Sequence, residues 1–322
     1  MSWLSDSMVD RLRVAASWPE LDDRYVISGV AGQGGMGTVY VARDRVLNRD
    51  VAVKVLDVAD RSGARASRIL REAHILGRLD HPGIVPVHDA GTLADGRTFY
   101  VMKLVRGQRL DHLIRVNQSI GPAPANQSST QLATTSGMRL SDRLVVFGRV
   151  LDAVAFAHSL GIVHRDLKPE NIMVGSFGEV YVMDWGVALT SGEATPSLES
   201  PEVIAGTPGF MAPEQEQSAS VDSRADVYAL GAVLHHLLPS TAPPALAAIA
   251  EKSRQPDAAK RYQTVDALAA DLARFRNHEP VEAYRESLAE RLLRVYRRYE
   301  LPILLVFAYI LMRAVLLIWA RV

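Results

Sequence analysis

A short stretch near the middle of the chain, 163–171, brings together three polar side chains of different chemistry. It reads Val-His-Arg-Asp-Leu-Lys-Pro-Glu-Asn and contains the carboxylate of Asp166, the ammonium of Lys168 and the carboxamide of Asn171. A carboxylate can orient a hydroxyl, a cation can neutralise a travelling charge and a neutral oxygen can hold a metal, so the set suits phosphoryl transfer. The alternative interpretation is a solvated polar loop between two helices.

A glycine-rich turn upstream could hold the phosphates that this chemistry requires. Gly32, Gly34 and Gly37 precede a strand-like run, 38–42. The spacing is weak evidence by itself, because dinucleotide-binding folds and ordinary hairpins also use it, but a strand follows here where a dinucleotide-binding unit opens a helix. Glycines let backbone N–H groups cover phosphates, and Lys54 on the next strand could then reach the α- and β-phosphates. The alternative for Lys54 is an exposed edge charge.

These segments resemble the eukaryotic-type protein kinases, in the bacterial branch of that family, over 24–277. The run 163–171 is similar to their catalytic loop, with Lys168 in the form usual for serine/threonine kinases. The resemblance implies an α+β, bilobal protein-kinase fold with a β-rich N-terminal lobe and a helical C-terminal lobe. It also implies an ATP-dependent serine/threonine kinase that uses Mg²⁺, or Mn²⁺ as a substitute, and transfers the γ-phosphoryl group to hydroxyls of protein substrates.

The resemblance assigns roles to residues in the other matching motifs. Glu72, on an amphipathic helix predicted over 67–79, would pair with Lys54, and Asp184 in Asp-Trp-Gly matches the metal-binding aspartate. Thr207 would hydrogen-bond the catalytic loop. The predicted catalytic residues are Asp166, Lys168, Asn171, Lys54, Glu72 and Thr207, and the predicted metal ligands are Asn171 and Asp184. The predicted nucleotide-binding residues are Gly32, Gly34, Gly37, Val39, Ala52, Lys54, Met102, Val105, Met173 and Asp184.

The resemblance also predicts two structural contacts and one omission. Glu214 would pair with Arg261, and Asp226 would anchor the backbone of the catalytic loop. Family members usually carry a further loop and helix after Leu238, whereas here the next helix is predicted from residue 245. Its loss is expected to expose neighbouring apolar residues and to weaken docking of protein substrates. The alternative function is therefore a pseudokinase or nucleotide-binding scaffold with little turnover. The alternative interpretation of the omission is a tightened surface loop that has no cost.

Segments without kinase motifs predict an insertion inside the kinase-like region and a membrane tether after it. We expect a helical extension over 1–23 and a flexible insertion over 117–137, which is rich in Ser, Thr, Asn, Gln, Pro and Gly. A basic helix is predicted over 278–300. The apolar run 301–320 is long enough for a transmembrane helix, despite Arg313 inside it. The resulting expectation is a single-pass protein of the cytoplasmic membrane with its kinase domain in the cytoplasm.

The bulk composition limits the class of partner. The 36 Lys and Arg residues balance 36 Asp and Glu residues, so no overall charge attracts nucleic acid. The chain has no cysteine, which excludes disulfides and Cys-ligated zinc. The first twenty residues carry charges among the apolar side chains, and we expect no signal peptide. The lipid bilayer, through 301–320, is an expected partner, and dimerisation stays open.

Overall fold

A computed structural model of the chain describes most of the kinase-like region. The described residues are 18–34, 37–55, 64–119, 138–185, 188–190, 207–217, 221–287, 290–291 and 300–319. Residues 1–17 of the extension predicted over 1–23 lie outside this set. Residues 18–24 form a bend and a turn that lead into the first strand. Of the predicted insertion, 117–119 are helical and 120–137 lie outside the described residues.

The N-terminal lobe is a five-stranded antiparallel sheet with strand order β1-β2-β3-β5-β4 and one helix packed on it. Strand β3 reads Val-Ala-Val-Lys-Val at its buried end, and this run of β-branched residues favours a strand covered on both faces. The elements are β1 (Tyr25–Gly34), β2 (Gly37–Asp44), β3 (Arg49–Val55), α1 (Ala64–Arg78), β4 (Val87–Thr92) and β5 (Thr98–Lys103).

The C-terminal lobe is mainly helical, as predicted, with small antiparallel sheets at its upper edge. They consist of β6 (Gly107–Arg109), β8 (Ile172–Gly175) and β9 (Val180–Val182), and of β7 (Ile162–Val163) paired with β10 (Leu189–Thr190). The helices are α2 (Leu110–Ser119), α3 (Leu140–Ser159), α4 (Pro213–Glu216), α5 (Arg224–Leu237), α6 (Pro244–Ser253), α7 (Val265–Arg276) and α8 (Glu300–Trp319).

Helix α3 delivers the chain to the catalytic loop. Its buried face includes Phe147 and Leu151, both fully buried, and it packs against α5 and α7. Gly161, directly after the helix, has φ +72°, a left-handed conformation that glycine adopts without steric cost. Its N–H donates to the carbonyl of His158 at 2.9 Å. This turn ends the helix and starts β7, from which 163–171 follows.

The shortened connection between α5 and α6 is closed by direct helix packing. At Gly231 on α5, an added Cβ would lie only 2.5 Å from the Cβ of Ser253 on α6, so glycine permits this close approach. Leu246 and Ile249 are fully buried, and Leu238 packs against the main core. The expected exposure of apolar residues here is therefore wrong for the part of the lobe that the structure describes: the large apolar side chains around the connection are covered.

The segment after α7 is a turn fixed to that helix by one carboxylate. Asp271 is fully buried and accepts hydrogen bonds from the Tyr262 hydroxyl at 2.6 Å and from the N–H groups of Glu282 and Ala283 at 2.7 and 3.0 Å. The helix predicted over 278–300 is not found over 279–287, where the chain forms a turn and irregular backbone, whereas 290–291 are helical. Residues 288–289 and 292–299 lie outside the described residues.

Helix α8 covers most of the predicted transmembrane run. No helix in the part of the chain that the structure describes has the length and hydropathy of a membrane span.

We predict that Asp271→Asn lowers the free energy of unfolding by about 3 kcal/mol, because an amide oxygen cannot accept all the hydrogen bonds that the carboxylate accepts. Urea unfolding of the full chain measures the change. The matched control is Asp266→Asn, an exposed position in the first turn of the same helix, where we expect a change below about 1 kcal/mol.

The pH dependence gives this prediction a second readout. Burial alone would raise the pKa of Asp271, but the hydrogen bonds from Tyr262 and the two backbone N–H groups outweigh it and hold that pKa below its usual range. A carboxylate with a lowered folded pKa stabilises the fold above its unfolded pKa, about 4, and loses this contribution as the pH falls through the folded pKa. The difference between wild type and Asp271→Asn should therefore shrink below about pH 4; a difference that stays constant down to low pH would contradict the account.

Candidate active site

A cavity of about 480 Å³ lies between the two lobes and collects most of the residues singled out in the sequence. From the predicted sets it is lined by Gly32, Gly37, Val39, Lys54, Glu72, Met102, Asp166, Lys168 and Asp184. The described residues that line it also include Tyr100 and Trp185, and do not include the predicted residues Gly34, Ala52, Val105, Asn171, Met173 and Thr207. Ala52 is buried in β3 opposite Met102, Met173 lies in β8, and Val105 follows β5. Gly34 ends β1 opposite Gly37.

The catalytic loop forms a compact polar cluster on the floor of this cavity. The Lys168 ammonium donates to Asp166 Oδ2 at 2.7 Å and to Thr207 Oγ1 at 2.6 Å, and the Thr207 hydroxyl donates to Asp166 Oδ1 at 3.1 Å. Asn171 Nδ2 donates to the Asp166 carbonyl at 2.8 Å. The amide nitrogen of Asn171 is thus used to hold the loop, so a metal would bind its carbonyl oxygen. The contacts predicted for Thr207 are present.

A buried carboxylate on α5 fixes the backbone of this loop. Asp226 is fully buried and accepts from the N–H groups of His164 and Arg165, both at 2.8 Å, and it contacts His158 Nε2 at 2.7 Å. Arg165 has φ +71°, which is unfavourable for a residue with a side chain. The hydrogen bond from Gln215 to the Arg165 carbonyl, at 2.9 Å, also holds this conformation. The anchoring role predicted for Asp226 matches these contacts.

The charge on Asp226 persists at neutral pH because its environment favours the ionised form. Burial would raise the pKa of Asp226, but the hydrogen bond and charge of His158, the charge of His164 and the Arg165 N–H lower it below the usual value. An ionised carboxylate accepts hydrogen bonds at both oxygens, whereas a protonated one loses part of this capacity because one oxygen carries a proton. The loop is therefore held by a charge-assisted contact rather than by a neutral one.

The opposite wall of the cavity carries an ion pair. Lys54 Nζ lies 2.9 Å from both carboxylate oxygens of Glu72 and 3.5 Å from Asp184 Oδ1. Burial would lower the pKa of Lys54, but the charges of Glu72 and Asp184 raise it above its usual value. The Lys54 side chain is therefore cationic, and phosphates bound in the cavity would meet this positive charge. The ion pair with Glu72 that the sequence predicts is present.

Asp184 lies between the Lys54–Glu72 ion pair and the charged cluster of the catalytic loop. It follows β9 with φ +61°, so its backbone turns sharply into the cavity. Burial would raise the pKa of its carboxyl, but Lys54, His164 and Lys168 lower it, so the group is anionic at neutral pH. Below it, Trp185 is buried, donates its indole N–H to the Val182 carbonyl at 3.2 Å and packs against the His164 ring at 4.6 Å.

The donor set at this point fits a magnesium ion. Asp184 offers an anionic carboxylate and Asn171 a carbonyl oxygen, the kinds of oxygen ligand that Mg²⁺ takes. Among the described residues no group of three or more His, Cys, Asp and Glu side chains could hold a metal. A site with one carboxylate and one amide is consistent with this, because Mg²⁺ is commonly held by one or two carboxylates together with substrate phosphates.

A second ion pair, between Arg261 and Glu214, lies in the C-terminal lobe. Arg261, whose side chain is fully buried, donates to both carboxylate oxygens of Glu214 at 2.6 and 2.7 Å. It also donates to the carbonyls of Gln255, Arg224 and Pro256. The pair predicted from the sequence is present, and it ties the segment that contains Thr207 to the helices of the C-terminal lobe.

Four contributors were not identified in the sequence: Tyr100, His158, His164 and Gln215. The Tyr100 hydroxyl donates to Glu72 at 2.9 Å, and Gln215 donates to the Arg165 carbonyl. His158 contacts Asp226, and the ring of His164 contacts the Met183 carbonyl. Only Tyr100 carried a usable signal, because it lies two residues before Met102 and alternation along a strand puts both on one face. The histidines and Gln215 act through contacts that depend on how distant helices pack.

Comparison with known proteins agrees with this geometry. The family described as "Protein kinase domain" matches residues 25–298. The chain belongs to the protein kinase family. The match extends beyond the C-terminal limit of 277 expected from the sequence and includes the turn held by Asp271.

Individual relatives come from bacteria. The chain is 34% identical over 299 residues to the serine/threonine-protein kinase PknB of Mycobacterium leprae, covering 82% of this chain and 45% of the relative. It is 31% identical over 303 residues to the serine/threonine-protein kinase PknD of Chlamydia caviae, covering 80% and 32%. This kinase-family chain therefore spans less than half the length of these relatives. The crystal structure of the Mycobacterium tuberculosis PknI kinase domain superposes with a TM-score of 0.55 at 25% identity, covering 79% of this chain and 97% of that domain.

We predict that Arg261→Lys lowers the free energy of unfolding by about 3 kcal/mol, because one ammonium cannot replace the planar guanidinium on Glu214 and the carbonyls around it. Chemical denaturation provides the measurement. The matched control is Arg224→Lys, whose exposed pair with Asp222 should contribute less than about 1 kcal/mol. Equal losses in the two variants would contradict the assigned importance of the buried pair.

Proposed function

We propose that the chain is an ATP-dependent serine/threonine protein kinase that transfers the γ-phosphoryl group of ATP to protein hydroxyls. The observation that carries the proposal is the convergence in one cavity of Lys54, Asp184, Asp166 and Lys168. Thr207 is hydrogen-bonded to the last two. The cavity has cations where phosphates would bind and carboxylates where a metal and a hydroxyl would bind. Membership of the protein kinase family supports the same reaction.

In this mechanism the chain positions groups rather than forming covalent intermediates with them. The glycine turn between β1 and β2 and the Lys54 ammonium hold the phosphates. Glu72 keeps the Lys54 side chain in place through contacts of 2.9 Å. Bound Mg²⁺, held by Asp184 and Asn171, would neutralise charge on the phosphates.

The acceptor side of the reaction belongs to the catalytic loop. The Asp166 carboxylate accepts the proton of the substrate hydroxyl and orients the hydroxyl oxygen toward the γ-phosphorus. As that oxygen bonds to phosphorus, the bond from phosphorus to ADP breaks. Lys168, 2.7 Å from Asp166, places a positive charge beside the group being transferred. Thr207 fixes both side chains through its hydroxyl. Ser and Thr hydroxyls of proteins are the proposed acceptors, and ATP is the proposed donor.

The competing function is a scaffold without turnover. It follows from the expected loss of a docking helix after Leu238. The structure describes a closed, buried junction between α5 and α6 there. The geometry around Asp166 supports catalysis, while the effect of the shortened lobe on protein substrates stays a prediction. Dimerisation also stays a prediction.

We predict that Asp166→Asn binds ATP with unchanged affinity but loses phosphoryl transfer by about three orders of magnitude, because the amide cannot accept the proton. Incorporation of radioactive phosphate into the protein and into a generic Ser/Thr substrate measures transfer, and calorimetry with a non-hydrolysable ATP analogue measures binding. The control is Asp152→Asn, an exposed position on α3.

Two outcomes would refute the proposal. Activity of Asp166→Asn within about tenfold of wild type would remove Asp166 from its role. A wild-type protein that binds the analogue tightly but transfers no phosphate would favour the scaffold. Phosphopeptide mapping of the products distinguishes Ser and Thr from Tyr as acceptors.

The membrane location is a second proposal, and it is supported by the composition of 301–320 and by the exposure of the described apolar side chains along α8, from Leu304 to Trp319. In this proposal the run crosses the bilayer once and the kinase domain stays in the cytoplasm.

We predict that the full chain resists carbonate extraction from membranes and that Ile310→Arg with Leu311→Arg, both at the middle of the run, releases it. Each central arginine costs roughly 3 kcal/mol where an apolar residue contributes about −0.5 kcal/mol, so two substitutions shift the balance by about 7 kcal/mol. The control is Arg313→Leu, which should stay in the membrane. Release of the wild-type chain by carbonate would show that the attachment is peripheral.

A further inference from the structure

Tyr100 lies beside the ion pair of the active site because of the register of the sheet. In the antiparallel pairing of β3 with β5, Tyr100 is directly opposite Lys54, and Met102 is opposite Ala52. Paired residues project from the same face of a sheet, and positions two apart along a strand share that face. Tyr100, Met102 and Lys54 therefore all line the cavity, and Tyr100 is the deeper of the two β5 residues.

The Tyr100 side chain contacts both members of the pair. Its hydroxyl lies 2.9 Å from Glu72 Oε1, the oxygen that also accepts from Lys54 Nζ at 2.9 Å. The Lys54 ammonium lies 5.7 Å from the centre of the tyrosine ring, within the range of a cation–π contact. Tyr100 is 2% exposed and the Glu72 side chain 1%, so water does not compete for these contacts.

The tyrosine hydroxyl is a hydrogen-bond donor under all ordinary conditions. Burial and then the negative charge of Glu72 raise the pKa of Tyr100 well above its usual value, so the proton stays on the phenol oxygen. The ionised carboxylate can only accept. Glu72 therefore has donors from two strands: Lys54 on β3 and Tyr100 on β5.

We propose that Tyr100 is a positioning residue for phosphoryl transfer, whose hydroxyl holds the Glu72 carboxylate where it orients Lys54. This inference rests on the proposed kinase function. Lys54 is shared between Glu72 at 2.9 Å and Asp184 at 3.5 Å, so its place over the phosphates depends on how firmly Glu72 is held. A phenylalanine ring at 100 would fill nearly the same volume and leave that carboxylate attached through Lys54 alone.

The same hydrogen bond ties helix α1 to the sheet. Glu72 is on α1, and α1 packs against β5 and β4. For the helix to move away, both the Lys54 and the Tyr100 contacts with Glu72 must break. The hydroxyl of Tyr100 thus favours the arrangement in which Glu72 points into the cavity, before and during the reaction.

The test variant is Tyr100→Phe, which keeps the ring and removes only the hydroxyl. We expect kcat for phosphate transfer to fall about tenfold, since a hydrogen bond to a charged group is lost from the alignment of Lys54. The Kd of a non-hydrolysable ATP analogue should stay within about twofold, because ground-state binding uses the whole cavity. Amide hydrogen exchange over 70–78 should become faster, because α1 has lost one attachment.

Two further variants separate positioning from a loss of stability. Tyr25→Phe removes a similar buried tyrosine hydroxyl, 3.0 Å from Asp89 on the same sheet but outside the cavity, and should leave kcat and the exchange over 70–78 unchanged. In a Glu72→Ala background, which leaves no side-chain oxygen at 72 to accept from the hydroxyl, adding Tyr100→Phe should change kcat by less than about twofold, because residues that act through one group are not additive.

The outcomes distinguish this inference from the proposed function. Tyr100→Phe with wild-type kcat and wild-type exchange overturns the inference, as does an equal fall in kcat with and without Glu72. Faster exchange spread evenly over all peptides also overturns it, because that indicates global destabilisation. If the wild-type chain transfers no phosphate, the proposed function fails, while faster exchange confined to 70–78 in Tyr100→Phe would still support the role of the hydroxyl in holding α1.

Discussion

The site depends on a charge taken out of water. Asp226 is fully buried, and an isolated carboxylate in that position would be costly. Its cost is offset by the N–H groups of His164 and Arg165 and by His158, which together satisfy both oxygens. Because those N–H groups belong to the catalytic loop, the same contacts set the backbone from which Asp166 projects. The unfavourable left-handed conformation of Arg165 is maintained by this arrangement.

The cavity itself combines opposite charges at short distances. Two cations, Lys54 and Lys168, each contact a carboxylate below 3 Å, and Asp184 lies near both groups. In a partly buried site these charges raise the pKa of Lys54 and lower that of Asp184, so both stay ionised. A nucleotide with its metal would therefore meet groups that are already charged and oriented. Preorganisation of this kind is the main means by which proteins catalyse phosphoryl transfer.

The C-terminal lobe supports the site with buried polar contacts as well as apolar packing. Arg261 holds Glu214 near the segment of Thr207, and Asp271 holds the turn that follows α7. Between α5 and α6, the helices pack closely at Gly231. The lobe is thus closed over its apolar residues at that point, and the core there is covered.

The sequence by itself determined the elements and most of the site. Local periodicity and glycine placement were enough for β1 to β3, for the helix with Glu72 and for the end of α3 at Gly161, since these depend on neighbours within a few residues. Motif order gave Lys54, Glu72, Asp166 and Asp184. Tertiary structure decided the rest: the hydroxyl of Tyr100 on Glu72, the hold of His158 and Gln215 on the loop, the turn at Glu282 in place of a helix, and the covered junction at Leu246. Each of these is a hydrogen bond or packing contact between elements distant in sequence, and its free energy exists only once burial has removed the competing water.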